Sequence, residues 1–253
     1  MKPTHPCALI FTLGPGGERA RRPLLPSRLE DDELALRAQC LLSAVDASVS
    51  AGCRVMVSCP EDARLPVDLP RLPQEGTGFG QRLMDAMARM ARISSGPMVV
   101  LGSDTPGLTA RHIRRALEEI RLDADAVVMG PATDGGIYLL AMGRPIGESL
   151  RHVRWCGTSA RADLIRTLAA AGFRVVLLEP LGDLDSREDL ESWLAARHAP
   201  EGWIPVLRRL RHSLARLHRR TDSSRAPVLR RPPRLHEGRA PPFASLTQAT
   251  SAF

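Results

Sequence analysis

The chain has 253 residues, of which 43% are apolar, 25% charged and only 4% aromatic. That is enough to bury a sizeable core, and the ordinary apolar fraction without a Gly-X-Y period excludes a disordered or collagen-like polymer over most of the length. The formal charge of +7 is uneven: residues 197–253 hold twelve arginines against Glu201, Asp222 and Glu237, a surplus of +9, which leaves residues 1–196 at −2, so nucleic acid or anionic membrane is a question for the C-terminal extension alone.

Along the body, short β-branched apolar runs alternate with helical patterns. Cys7–Thr12 reads as a first strand, and Asp31–Ser50, with Leu34, Ala38, Leu41, Leu42 and Val45 at helical spacing, as a helix. Arg54–Ser58 is a second strand, Phe79–Ile93 a helix, and Pro97–Gly102 a third strand apolar enough to be buried on both faces. Thr109 caps a helix to about Arg121. Ala126–Gly130 and Ile137–Met142 are further strands, followed by a helix over Ala160–Ala171 and a strand over Arg174–Leu178. Ser186 opens a helix with Glu188 and Asp189 in its first turn, where the helix dipole favours acids. This succession predicts an α/β fold with a mostly parallel, doubly wound sheet over residues 1–198, whose ligands bind at the carboxyl ends of the strands. Residues 199–220 follow as a basic amphipathic helix, its Leu207, Leu210, Leu214 and Leu217 on one stripe. Residues 221–253, rich in Pro, Ser and Arg without periodicity, read as a disordered tail.

Five cysteines, Cys7, Cys40, Cys53, Cys59 and Cys156, are odd in number and form no C-x-x-C pair, which argues against disulfides or a zinc site. With no 18-residue apolar run and no signal-like segment, the expected location is cytoplasmic. Lys2 is the only lysine among 35 basic residues, a bias that GC-rich codon usage explains as well as selection for bidentate anion binding does.

Four segments carry candidate chemistry. Gly102-Ser103-Asp104-Thr105-Pro106 puts a carboxylate just after the buried third strand, where Asp suits Mg²⁺ or Mn²⁺, although Asp104 could equally cap the next helix. In Gly130-Pro131-Ala132-Thr133-Asp134-Gly135-Gly136-Ile137-Tyr138, two glycines allow close approach of a ligand, or a plain hairpin turn. Tyr138, inside an apolar strand, is expected in the core. Gly182-Asp183-Leu184-Asp185-Ser186 follows the last strand; alternate carboxylates on extended chain face opposite ways, so only one is expected to reach a metal shared with Asp104, and either Asp185 or Ser186 could cap the helix beyond. Gly14-Pro15-Gly16-Gly17-Glu18-Arg19-Ala20-Arg21-Arg22 combines glycine backbone with cations suited to phosphate, without matching the P-loop or dinucleotide fingerprints.

In this order the motifs Q-x-G-x-x-F-G-x-R-L (Gln74–Leu83), G-S-D-T-P, G-P-A-T-D-G-G-I-Y-L-L and D-L-D-S-R-E-D-L resemble a bacterial family of glycosyltransferase-A-type proteins, the radical-SAM/selenodomain-associated transferases, which carry the uncharacterised domain numbered 2064. The resemblance covers roughly residues 8–193. It implies a nucleotide-diphospho-sugar transferase fold, a nucleotide over the first half of the sheet held with Gly16, Arg19, Arg21, Gly80 and Arg82, and a divalent Mg or Mn ion near Asp104. A D-x-D-T-x-x-D-L ending in related nucleotidylyltransferases adds Asp185 as a second metal candidate. Asp134 would then face the acceptor as a base or positioning group, with Gly135 and Gly136 admitting the substrate. The chain departs from the family where P-G-x-V-K-T-R-L becomes Pro15-Gly16-Gly17-Glu18-Arg19-Ala20-Arg21-Arg22 and where W-S-T-E becomes Trp155-Cys156-Gly157-Thr158.

Three functions fit these residues. The first is metal-dependent glycosyl transfer from a nucleoside diphosphate sugar to an acceptor of unspecified chemistry. The second is nucleotidylyl transfer from a nucleoside triphosphate to a small phosphorylated acceptor, against which stands the missing L-x-A-G-G-x-S-x-R-M-G start. The third is a degenerate, non-catalytic nucleotide-binding homologue. For residues 203–220 the expectation is packing of the leucine stripe on the domain or a second copy. The competing use is peripheral contact with anionic lipid at the inner membrane face, and nucleic acid is disfavoured by the scarcity of aromatics.

Overall fold

The structure, a computed structural model, describes residues 5–157, 159–195 and 201–223. Its strands are β1 (Cys7–Phe11), β2 (Arg54–Cys59), β3 (Arg71–Pro73), β4 (Met98–Leu101), β5 (Ala126–Pro131), β6 (Ile137–Met142) and β7 (Arg174–Leu177). They form one sheet in the order β3-β2-β1-β4-β6-β5-β7. All pairings are parallel except the two made by β6, which runs antiparallel to both β4 and β5. Chain length forces that reversal, because only residues 132–136 separate β5 from β6 and a parallel crossover needs a dozen or more.

The helices are α1 (Gly14–Arg21), α2 (Glu30–Ser50), α3 (Phe79–Ile93), α4 (Ala110–Leu122), α5 (Ala160–Ala170), α6 (Arg187–Ala195) and α7 (Ile204–Ser223). Side chains alternate across the strands, so each face of the sheet has its own core. On one face Ala8, Ile10, Val57, Val99 and Leu101 meet Leu41, Ala44 and Val45 of α2 and Ile113, Ala116 and Ile120 of α4. On the other, Cys7, Leu9, Met98, Val100 and Met129 meet Leu83, Met87 and Met90 of α3 and Leu164 and Leu168 of α5. The predicted doubly wound sheet is thus the observed one, with single-residue differences at most boundaries.

Two elements escape the sequence reading. β3 has only three residues, too few for a periodic signal, and exists because it pairs with Val57–Cys59. α1 occupies the segment expected to be a glycine-rich loop. Its three glycines are poor helix formers, but Pro15 stands in its first turn, where a missing N–H costs nothing. Glu18 then ties the helix back to its start by accepting a hydrogen bond from the Leu13 N–H at 2.8 Å.

At the helix starts the sequence reading fares better. Thr109 begins α4 in a capping box completed by His112, whose Nδ1 accepts from the Thr109 N–H at 3.1 Å. Four acids, Glu30 to Glu33, fill the first turn of α2, where the dipole favours them. Glu33 is fully buried yet satisfied, accepting from the N–H groups of Leu24 and Leu25 and from Arg37 Nε, each at 3.0 Å.

The chain divides into compact units at residues 1–215 and 216–253. The first extends past the boundary expected at 198, because Trp203, Leu207 and Leu210 are buried in a third core cluster with Leu24, Leu36, Leu184 and Leu190, and Leu214 packs against it. Burial of one Trp and two Leu side chains is worth several kcal/mol, which explains why the start of α7 joins the domain. The leucine stripe through Leu214 therefore packs on the domain, one of the two packings expected of it, and the competing lipid contact of residues 203–220 loses that part of its apolar face. Leu217 and the tail beyond Ser223 lie outside the side chains described. Among the described residues no helix is long and apolar enough to cross a membrane.

Candidate active site

The carboxyl ends of β1, β4, β5 and β7 and the start of β6 border a cleft of about 370 Å³, a size suited to a small-molecule ligand. Its acidic wall is assembled by the parallel neighbours β5 and β7, whose pairing continues beyond the strands. Ala132 bridges Leu181, the Thr133 N–H donates to the Leu181 carbonyl at 3.0 Å, and the Leu181 N–H donates to the Pro131 carbonyl at 3.1 Å. One step on, the Leu184 N–H donates to the Asp104 carbonyl at 2.9 Å. These backbone bonds draw the segments after β4, β5 and β7 together, so Asp104, Asp134, Asp183 and Asp185 all line one cleft.

Carboxylate oxygens of Asp134, Asp183 and Asp185 lie within 4.8 Å of one another. Asp183 and Asp185 thus face the same group, although alternation on extended chain predicts that only one of them would reach a metal shared with Asp104: residues 182–185 are not a regular strand, so the period-2 argument does not govern them. Asp104 is outside the trio but senses it. Burial pushes its carboxyl up to about 6, helped by the negative charges of Glu18 and Asp134 against the opposing pull of its own backbone and Arg37. Asp183 is pushed up to about 7, first by burial and then by Asp134 and Asp104. Asp185 has a cation partner in Arg22.

The competing capping roles resolve by geometry. Asp104 does not cap α4, which Thr109 and His112 close. At α6 the cap is Ser186, whose hydroxyl accepts from the Asp189 N–H at 3.1 Å, while Asp189 accepts from the Ser186 N–H at 2.8 Å. Asp185 is left to the cleft. Between β5 and β6 the chain does make a tight turn: Gly135 has φ +98°, the left-handed region that glycine tolerates, and the Gly136 N–H donates to Asp134 Oδ1 at 2.7 Å. The turn residues and the ligand-facing acid are the same residues. Tyr138 is 2% exposed, its ring against Gly130 and its hydroxyl donating to the Glu179 carbonyl at 3.0 Å, in keeping with a core role at the base of the cleft.

The expected phosphate loop is rearranged. Arg19 turns away from the cleft toward α2, its Nε 3.5 Å from Glu33 and its Nη1 3.7 Å from Glu30, because a buried carboxylate attracts it more than solvent does. Gly16 is exposed and does not line the cleft. The loop's own polar groups are occupied internally: Glu18 accepts from the Leu13 N–H and from the Thr12 hydroxyl at 3.2 Å, and Thr12 accepts from the Gly14 N–H at 3.0 Å and from Ser103 at 2.7 Å. Arg21 does line the cleft, as do Arg22 and Arg82. Gly80 lies outside the lining, beneath the indole of Trp155, and Gly136 lines it while Gly135 shapes the turn.

Sequence reasoning therefore missed Asp183, Glu18 and Arg22 as members of the site. A glycine directly before Asp183 is a signal that could have ended the strand and freed both acids from alternation. No sequence signal distinguishes Arg22, which pairs with Asp185, from Arg19, which does not.

Residues 38–157 match the model of a family described as an uncharacterized protein conserved in bacteria (DUF2064). Among solved structures, a Desulfovibrio desulfuricans G20 protein assigned as a nucleotide-diphospho-sugar transferase superposes with a TM-score of 0.68 at 20% identity, over 84% of this chain and 97% of that one. Rv0371c of Mycobacterium tuberculosis H37Rv, in complex with manganese, gives a TM-score of 0.49 at 16% identity, over 76% of this chain and 99% of that one. CMP:2-keto-3-deoxy-manno-octonic acid synthetase with CTP gives 0.47 at 14%, over 74% and 96%. The first of these likenesses shows that the two chains share a fold. No curated protein matches the sequence.

Proposed function

We propose that the protein is a divalent-metal-dependent transferase that takes a nucleoside diphosphate sugar as donor. The observation that carries this reading is the convergence of Asp134, Asp183 and Asp185 in a cleft that Arg21 and Arg82 also line. The donor set fits a hard cation: three carboxylates lie within reach of one ion, only Asp185 among them has an ion-pair partner among the described residues, and Asp183 is pushed up to about 7 by burial first and then by Asp134 and Asp104. When bound, Mg²⁺ or Mn²⁺ supplies the positive charge that a leaving diphosphate needs.

The chain's own groups supply the rest. Arg21 and Arg82 have no carboxylate partner among the described residues, so their charge is free to meet an anionic ligand in the cleft. Asp134 stands among the metal candidates, and a carboxylate committed to a cation is a weaker base, so its part is holding the ion rather than deprotonating the acceptor. Gly136, without a side chain, leaves room beside the acids for the donor's diphosphate.

Calorimetry with nucleoside diphosphates and their sugars, each with and without Mn²⁺, tests this. Metal-dependent binding that Asp183→Asn removes is the expected result. Absence of nucleotide binding under all conditions overturns the proposal, and release of pyrophosphate from a nucleoside triphosphate would replace it with nucleotidylyl transfer.

A further inference from the structure

The same cleft also holds a group of aromatic rings. Phe11 at the end of β1 and Phe79 at the start of α3 meet edge to face with centroids 5.3 Å apart, and Phe79 meets Trp155 at 5.5 Å. All three rings line the cleft and are only partly buried. In a chain with 4% aromatic residues, such a group is a local concentration, and each ring keeps exposed surface that a flat or apolar ligand could cover.

Two buried donors in the same place lack acceptors. Trp155 Nε1 and Arg82 Nε are both shielded from solvent and without a hydrogen-bond partner. The Arg82 side chain donates from Nη1 to Gln74 Oε1 at 3.3 Å. Buried donors left unpaired are costly, and an acceptor-bearing ligand would repay the debt. Arg21, reaching Cys156 Sγ at 3.7 Å, adds a second cation without a carboxylate beside the indole. The indole itself is seated by glycine: a Cβ on Gly80 would lie 2.5 Å from its Cδ1 and 2.9 Å from Nε1, so any other residue there would push the ring out of its place.

Charge and shape together define the ligand. Cations and orphan donors call for an anionic or carbonyl oxygen, and three rings call for a flat apolar body. We propose that Phe11, Phe79, Trp155 and Arg82 form the acceptor subsite, and that the acceptor is a small molecule joining a planar apolar body to a phosphate or carboxylate group. This rests on the transferase reading for the word acceptor, whereas binding at the subsite does not.

The test uses the full-length protein and two probes, phenyl phosphate and inorganic phosphate, titrated calorimetrically. Stacking on an aromatic platform is worth about 1–3 kcal/mol, so phenyl phosphate should bind about tenfold or more tightly than phosphate. Trp155→Ala should reduce that preference to about twofold or less, and Arg82→Gln should weaken both probes alike. Should Trp155→Ala not fold, Trp155→Phe, which keeps a ring and loses the donor, should retain most of the preference, and Phe79→Leu should lower it. Equal affinity for the two probes, or an unchanged preference in Trp155→Ala and Phe79→Leu, overturns the proposal. So does displacement of phenyl phosphate by a nucleoside monophosphate, which would make the rings a nucleobase site. Failure of nucleotide and Mn²⁺ to bind while phenyl phosphate still discriminates would sink the donor reading and leave the subsite standing.

Discussion

Two polar segments border the strand ends, and they solve their electrostatics differently. The turn into α1, Thr12 to Arg22, is the closed one, with most of its charge already partnered: Glu18 takes up the Leu13 N–H and the Thr12 hydroxyl, Arg19 leans on Glu33, and Arg22 pairs with Asp185. The segment after β7 is open, with Asp183 pushed up to about 7 by burial first and then by Asp134 and Asp104. Charged residues alone do not mark a binding site. Charge that the fold leaves uncompensated does, because only there can a ligand gain what the protein has not already supplied.

The largest expected effect is on the open side. Asp183→Asn should lower Mn²⁺ affinity about 100-fold or more, read by calorimetry, because it removes one of three carboxylates from the trio. On the closed side, Glu18→Ala should destabilise the protein by about 1.5–3 kcal/mol, the worth of hydrogen bonds to a charged group, seen as a lower urea midpoint with unchanged slope. It should also let Asp104 ionise at lower pH, since Glu18 is the chief charge opposing that ionisation.

A third prediction concerns pH. Asp104 and Asp183 bind their protons more tightly folded than unfolded, so the stability they contribute is complete below about pH 4 and is lost as pH rises through about 6 and 7. Without metal the melting temperature should fall across that window, Asp183→Asn should flatten the fall, and Mn²⁺ should raise the melting temperature more at pH 8 than at pH 5. A metal-free melting temperature that rises through the window in step with wild type and variant alike would show that the acids are not crowded. Smaller still, Arg22→Ala should strengthen Mn²⁺ binding by about threefold, by removing the cation that competes for Asp185. Arg19→Ala should leave nucleotide and metal binding within about twofold of wild type, since its side chain faces α2.

Much of the architecture was legible because it depends on local pattern. The buried run at residues 97–102, the amphipathic spacing of Phe79–Ile93 and the Thr109 start report burial and capping that neighbouring residues decide among themselves. α1 was not legible, because Gly14, Gly16 and Gly17 argue for a loop, and only Pro15 in the first turn and the Glu18 carboxylate argue otherwise. β3 was not legible because three residues carry no period.

The site divides along the same line. Sequence by itself determined that Asp104, Asp134 and the pair Asp183 and Asp185 stand at strand ends of an α/β sheet, since strand positions and motif spacing are local facts. It also determined that the cationic surplus belongs to the C-terminal extension. Tertiary structure alone decided that Asp183 joins Asp134 and Asp185, that Arg22 and not Arg19 reaches an acid of the cleft, and that the leucine stripe of α7 through Leu214 belongs to the core. Each of those outcomes depends on a partner distant in sequence, and Coulombic and packing energies act over a few ångströms of space whatever the separation along the chain.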